Sequence, residues 1–491
     1  MTNAHAGLLF RQVAIAAALG CCAAAIALAP ASASLVVTGA AALIPLVWWT
    51  LAAPGRWIAA FLISALILPP LPIALGNTGP HPALIFGALG LFAGLMRMAE
   101  WSGRPTSLDC AIASYFLILM ASLAPALWHA GAAIAAASFA RVLLFGLGPY
   151  VYFYSVRGPT EPRPQGAVPN EAARELADRR TRIFFLAGTA SALLACLDFY
   201  FQFPAPSGFS PQFVWLASGV YRRAQGVFYE ASTLGNLSAF FLVMIAVAVS
   251  LPGNASGVRR RTLLLGAPLF AAALIFSYSR ASVLNLVVAF ASLLFLRRAR
   301  IGRGRLVGII LALVLTSVVI VYFVFPGFYE AYVWRWWNSA AYLLESPAQI
   351  LSGRWATWSQ LAVYALQNPL ALLTGVGYKT LPYSNLLGDP LIADNMYLSV
   401  LVEAGVMGLA ALLWMNIAIL RAGYRAAHHP DPRTRFYGSW IFCFWMGEVF
   451  QMASGDLLTY WRVLPLYFWV LALAVRGAER TGRRARPQTN E

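Results

Sequence analysis

In the stretch "LIFSYSRASVLNLVVAF", Arg280 is the only charged side chain between Thr262 and Leu296. Hydrocarbon is a costly place for a guanidinium, so an arginine there needs an anion or a route to the surface. Snorkelling to lipid phosphate is the plain alternative. Other stretches offer companions. "YRRAQGVFYEASTLGN" carries Arg222, Arg223 and Glu230, "SGRWATW" carries Arg354, and "LIADNMYLSVLVEAGVMGL" carries Asp394, Asn395 and Glu403. Guanidiniums hold phosphate oxygens two at a time. A carboxylate beside a hydroxyl can act as general base. Such a set suits a site that grips a diphosphate and deprotonates a hydroxyl.

The elements that must carry these residues follow from composition. Of the 491 residues, 60% are apolar and 11% charged, and the mean hydropathy is +0.69. Soluble domains carry about a quarter charged residues. Windows of about 20 apolar residues recur, each long enough to span a bilayer. They are too long and uniform for the alternating segments of an outer-membrane barrel. The expectation is an all-α polytopic membrane protein with about 14 transmembrane helices, at 13–30, 35–52, 57–75, 83–98, 110–128, 132–155, 183–201, 231–251, 263–279, 281–296, 306–325, 395–419, 436–454 and 462–476. The N-terminal run mimics a signal peptide, with "ASAS" as its small-residue site, and is read as the first span.

Charge orients the spans. The formal +17 does not mark a nucleic-acid binder, because 27 of the 35 basic residues fall in loops that alternate to one side. That is the positive-inside pattern, and it puts both termini in the cytoplasm. Arg141, Arg222, Arg223, Arg280, Arg335, Arg354, Lys379 and Arg462 break the pattern, which is where function is to be sought. Both flanks of 262–296 are arginine-rich, so that stretch must go out and return, with "SYSRAS" at its outer tip. The chain then divides into a six-helix part (1–155), a cytoplasmic linker (156–182), helices seven to eleven with Arg222, Arg223 and Arg280 (183–325), a large periplasmic loop with helical character (326–394), helices twelve to fourteen (395–476) and a basic cytoplasmic tail (477–491). The stretch "GRWATWSQLAVYALQNP" in the loop reads as an interfacial amphipathic helix.

Several residues have plainer readings. The five cysteines fall inside spans, away from any metal cage or disulfide. Glu403 and Glu448 read as helix-to-helix hydrogen-bonding groups, and Asp198 and Asp456 as partners of arginines or solvated acids. Arg141 extends an anion site or pairs with one of those acids. His428 and His429 share a cytoplasmic loop and are not read as metal ligands.

Over roughly 180–420 the chain resembles the O-antigen ligase and polymerase superfamily of bacterial membrane glycosyltransferases (Wzy/WaaL-type). "RAQGVF", "SYSRASVL", "GR" followed by "NPLALLTGVGY", and "DNMYLSVLVEAGVMGL" occur in the expected order. The resemblance implies a GT-C-like fold in the bacterial inner membrane, with the active site facing the periplasm. It implies transfer of a glycan from undecaprenyl diphosphate to an acceptor hydroxyl, without metal or other cofactor. The donor diphosphate then falls to Arg280 and Arg223, with Arg354 and Arg222 beside them. Asp394 stands where ligases for lipid A-core carry histidine, the presumed base, and Glu230 shares the acid–base work. Asn395, Lys379 and Tyr278 are further candidate substrate contacts. Aspartate at 394, and "YEASTLG" after the aromatic, lean toward a polymerase of O-antigen or exopolysaccharide. Ligation to lipid A-core is the alternative, and a flippase for lipid-linked oligosaccharide is the rival of another class. Expected partners are the lipid-linked donor, the acceptor glycan or lipid A-core, membrane lipids and chain-length regulator proteins.

Overall fold

A computed structural model describes residues 45–71, 80–159, 169–205, 209–216, 219–297, 354–385 and 390–484, with residue 388 and isolated positions between 308 and 337. The expected spans 13–30 and 306–325, most of 35–52, and nearly all of 326–353, with Arg335, lie outside the described residues. The fold is helical. In chain order the helices are α1 Arg56–Ile67, α2 Ala83–Met96, α3 Ser107–Ala121, α4 Leu123–Arg157, α5 Pro169–Phe201, α6 Ala231–Ser250, α7 Arg260–Phe276, α8 Arg280–Leu296, α9 Arg354–Gln367, α10 Pro369–Thr374, α11 Met396–Ala427, α12 Pro432–Gln451 and α13 Leu464–Arg484. Among the described residues, the helices long and apolar enough to cross a membrane are Leu123–Arg157, Glu175–Phe201, Ala231–Ser250 and Met396–Ala427. The others are shorter or less apolar; α1, at twelve residues, rises only about 18 Å.

Two departures from the all-α expectation matter. Phe213–Leu216 and Gly219–Arg222 form an antiparallel hairpin, β1 and β2, with Phe213 opposite Arg222 and Leu216 opposite Gly219. Its short aromatic and β-branched run is hidden between apolar helices in the sequence. The second departure is a glycine break inside the expected span 395–419, whereas a like break falls where the expected spans 110–128 and 132–155 meet. Gly131 (φ 83°, ψ 170°) interrupts α4 and Gly405 (φ 72°, ψ −176°) interrupts α11. Those dihedrals belong to glycine almost alone.

Both breaks redirect the chain. Ser122 Oγ accepts from the Tyr378 amide at 3.3 Å, and the Ser138 hydroxyl bonds the Tyr378 carbonyl. In one straight helix those serines would stand about 24 Å apart, so the chain folds back at Gly131. Likewise the Tyr397 hydroxyl reaches the Val449 carbonyl (2.7 Å) while Asn416 Nδ2 reaches Met452 Sδ (3.4 Å). Nineteen residues of straight helix would separate them by about 28 Å. Glu403 sits at the bend, two residues before Gly405. The carbonyls freed there are met by loop amides, Val376 N–H to Val402 O (3.0 Å) and Gly377 N–H to Glu403 O (2.8 Å). Unpaired backbone groups in an apolar interior cost several kcal/mol each, so this docking is what makes the bend tolerable. A small cluster of Leu361, Ala365, Val376, Leu381, Ala393 and Val402 packs under it.

The centre of the bundle is α6, which packs against α5, α7, α8 and α12 and is buried along most of its length. Phe240 there lies 4.4 to 4.8 Å, ring to ring, from Trp440, Phe444 and Tyr467. Charged contacts divide into two sets at the ends of the helices. Arg157 pairs with Asp109 (2.7 Å) and Glu479 (3.1 Å), and Arg433 with Asp178 (2.6 Å). Arg222–Asp198, Arg354–Asp394 and Lys379–Asp456 form the second set. Among the described residues no ion pair joins a residue of one set to a residue of the other.

A methyl group at Gly375 would overlap the Glu403 carbonyl, and one at Gly405 the Leu373 carbonyl. Either Gly→Ala change combines that clash with forbidden dihedrals and should cost at least about 3 kcal/mol. The control is Gly253→Ala: its φ is also positive, but nothing lies within 4 Å of the added carbon. Thermal unfolding in detergent should show a clearly larger drop in Tm for Gly375→Ala and Gly405→Ala than for the control.

Candidate active site at the arginine-bearing end

The hairpin tip is built from a tight turn and a cap. α7 ends at Phe276, and Ser277 Oγ accepts from the Ser279 amide at 3.2 Å. Tyr278 takes φ 51° to make the turn. Ser279 caps α8 by accepting from the Ser282 amide at 3.3 Å, which leaves Arg280 as the first helical residue. Gly235 of α6 permits the approach, because a side-chain carbon there would press on the hydroxyls of Ser277 and Ser282.

Arg223 is brought to this tip by the β-hairpin. Its Nε donates to the Ser277 carbonyl at 2.8 Å, and the next amide, Ala224 N–H, donates to Phe276 O at 2.9 Å. Behind the loop stands Asp198, buried near the end of α5. Its Oδ1 accepts from Arg222 Nη2 (3.2 Å), and its Oδ2 from the amides of Gln225 (3.3 Å) and Gly226 (3.1 Å). Arg222 also donates to the Phe203 carbonyl at 2.6 Å. Gln225 adds ties to Ser210 and Tyr229 carbonyls at 3.2 and 2.7 Å. The loop ends at Glu230, which precedes α6 and accepts from the Thr233 hydroxyl at 2.6 Å.

The third contributor is the segment 354–395. Arg354, at the start of α9, donates through Nε to Asp394 Oδ2 at 3.0 Å; both side chains are partly exposed. Asp394 takes φ 44°, and Asn395 caps α11 by accepting from the Leu398 amide at 3.2 Å. Lys379 is buried, has φ 57° and pairs with Asp456. Arg141 lies 4.1 Å over the Tyr383 ring.

These pieces meet electrostatically. Arg354 acts on both Arg223 and Arg280, and Arg223 acts on Glu230. Three guanidiniums therefore share a neighbourhood with the carboxylates of Glu230 and Asp394. Burial weakens proton binding by Arg223; Tyr460 and Glu230 oppose this, and Arg354 adds to it. Burial raises Glu230 above the ordinary carboxylate range, against the pull of Thr233 and Arg223. The phenol of Tyr460, bonded to Ser232, is raised well above its usual value, chiefly by burial and next by Glu230.

Some expectations for individual residues change with their surroundings. Arg222 stands beside Arg223 in sequence, but strand geometry turns it to Asp198 and the Phe203 carbonyl. Lys379 is a buried tie between two loops rather than a solvated side chain. Asn395 is occupied as a helix cap. Tyr278 is buried at the turn, 6.4 Å ring to ring from Tyr221. Tyr460 and Gln225 were not singled out by sequence reasoning. Tyr460 comes from the loop between α12 and α13, distant in sequence from the motifs. Among the described residues, the non-glycine ones with positive φ are Gln202, Tyr229, Tyr278, Lys379 and Asp394, and all belong to this end. Such strain gathers where surroundings hold a residue for function.

Replacing Asp198 with Ala leaves Arg222 and two loop amides without their acceptor. The loss should be about 3 kcal/mol, as for a broken buried pair, and protease should cut more readily between 209 and 230. An unchanged melting curve and digestion pattern would remove Asp198 as the strut.

Residues 265–413 match the family model of O-Antigen ligase. That range holds the hairpin tip with Arg280, the loop with Arg354 and Asp394, and most of α11, while Arg222, Arg223 and Glu230 precede it. No curated protein matches the chain. The arginine tip and the loop bearing Arg354 and Asp394 thus lie in the part of this helical chain that is similar to the O-Antigen ligase family.

Proposed function

We propose that this protein is an inner-membrane glycosyltransferase that elongates a polysaccharide on the periplasmic side, using glycan linked to undecaprenyl diphosphate. The supporting observation is the convergence of Arg223, Arg280 and Arg354, with Arg354 acting on both others. Like charges gathered at one place are stabilised by a polyanion that enters among them. A prenyl diphosphate arriving from the membrane meets that need, and neutralising it makes it a good leaving group. The acceptor hydroxyl attacks the anomeric carbon, the bond from that carbon to the diphosphate oxygen breaks, and the hydroxyl proton passes to a carboxylate. Asp394, partly exposed and oriented by Arg354, is our assigned base. Glu230 balances Arg223 and is the second acid–base group. The end bearing Arg223, Arg280 and Asp394 is taken as periplasmic, because the opposite end carries the loops rich in arginine. The family description favours ligation to lipid A-core as the second reading.

The deciding assay supplies purified protein with undecaprenyl-diphosphate repeat units. A ladder of longer glycans supports polymerase; product formed only with added lipid A-core supports ligase; neither outcome, with lipid translocation instead, ends the transferase reading. Arg280→Ala and Arg223→Ala should each lower turnover about 100-fold, the scale of one lost charge-stabilising contact. Arg222→Gln should act mainly on stability.

The pH profile ranks the carboxylates. A base works deprotonated, so activity rises with pH through its acid limb. Because Glu230 binds its proton more tightly than an ordinary carboxylate, a limb due to Glu230 would lie above the ordinary range and vanish in Glu230→Gln. We expect the limb to survive that change and Asp394→Asn to lose at least about 100-fold in kcat.

A further inference from the structure

We propose that Glu448 is a positioning residue for the transfer reaction: its Oε1 sets the spacing between the helix that starts beside Glu230 and the helix that starts with Arg280. This rests on the diphosphate-and-base reading of the site and adds a residue to it.

The two helices bear the two groups at equivalent places. α6 follows Glu230 and carries Asn236, while α8 opens with Arg280 and carries Asn285. Asn285 Nδ2 donates to Glu448 Oε1 at 2.8 Å, and Asn236 Nδ2 bonds the same oxygen. Both amides also donate to Gln451 Oε1, at 2.9 and 3.1 Å, on the same helix α12. These side chains are almost fully buried. At about 1.5 Å per residue, Glu230 and Arg280 stand only about 9 and 7.5 Å along their helices from the shared anchor. A shift of the anchor therefore moves both ends of the site.

Two further contacts carry the anchor to the tip. Gln451 Nε2 donates to Ser282 Oγ at 3.2 Å, and the Ser282 and Ser279 hydroxyls lie 2.8 Å apart, on either side of Arg280. The Tyr467 hydroxyl donates to Asn236 Oδ1 at 2.6 Å, which fixes which face of that amide turns to Glu448. Gly447, beside Glu448, makes the approach of α8 possible, because a side-chain carbon would overlap Asn285. Apolar packing alone could hold these helices together, whereas a network of directional bonds holds one register. A displacement near 1 Å at a reacting centre can cost about 100-fold in rate.

The test compares Glu448→Gln, which keeps an oxygen at the anchor, with Glu448→Leu, which removes it. In liposomes supplied with lipid-linked donor and acceptor, Glu448→Leu should lower kcat about 100-fold with little change in KM for the donor, and Glu448→Gln should restore near-normal kcat. Hydrogen exchange should quicken at the first turns of α6 and α8 in the Leu variant and not in the Gln variant. Where Glu448→Leu fails to accumulate, Asn285→Ala is read the same way. Normal kcat in the Leu variant, equal impairment in both, or unchanged exchange overturns the proposal. If wild-type protein makes no product, the transferase reading falls, while the difference in exchange still decides the anchor.

Discussion

The hydrogen bond from Arg223 Nε to the Ser277 carbonyl, 2.8 Å long, joins the two parts of the chain on which the site depends. One part is a loop tied to α5, and the other is the tip of a helical hairpin. A guanidinium committed by one nitrogen to a backbone carbonyl keeps other N–H groups of its fork for an anion. The same bond satisfies a carbonyl at the end of α7, where the helix leaves its last carbonyls unpaired.

Around that junction, buried polar groups act mainly as supports. Asp198 takes Arg222 and two amides, so the arginine next to the site-forming one serves as a strut. Arg462 shows the same economy: it donates to the carbonyls of Ala65, Leu68 and Val227 at 2.5 to 2.9 Å and lies over Phe228. A cation at the end of α1 meets the negative pole of that helix and fastens it to the loop bearing Arg223. Arginine in this chain thus also serves as a clamp on backbone carbonyls.

The bends at Gly131 and Gly405 solve a different problem. A segment of loop, 375–381, reaches into the helical bundle at the arginine-bearing end, and irregular backbone there needs partners. Serines on both arms of α4 and the carbonyls freed in α11 supply them. Segment 375–381 therefore belongs to the core of the protein.

Much of this was legible in the residues themselves. The bilayer demands long apolar helices, and the positive-inside asymmetry separates basic loops from exceptional charges, so the helices, the choice of Arg223, Arg280, Arg354 and Asp394 as exceptional groups, and the family likeness follow from one-dimensional pattern. The hairpin β1–β2 did not, because eight residues of strand sit below the scale of span-length periodicity. Nor did the roles of Arg222, Lys379 and Asn395, since adjacency along a chain says little about which way a side chain turns. The sequence alone determined that arginines and carboxylates gather at one end of a helical membrane protein, because hydrocarbon admits few other arrangements. Only the tertiary structure decided which of them meet, because each guanidinium takes whichever carbonyl or carboxylate the packing of distant helices puts within 3 Å of it.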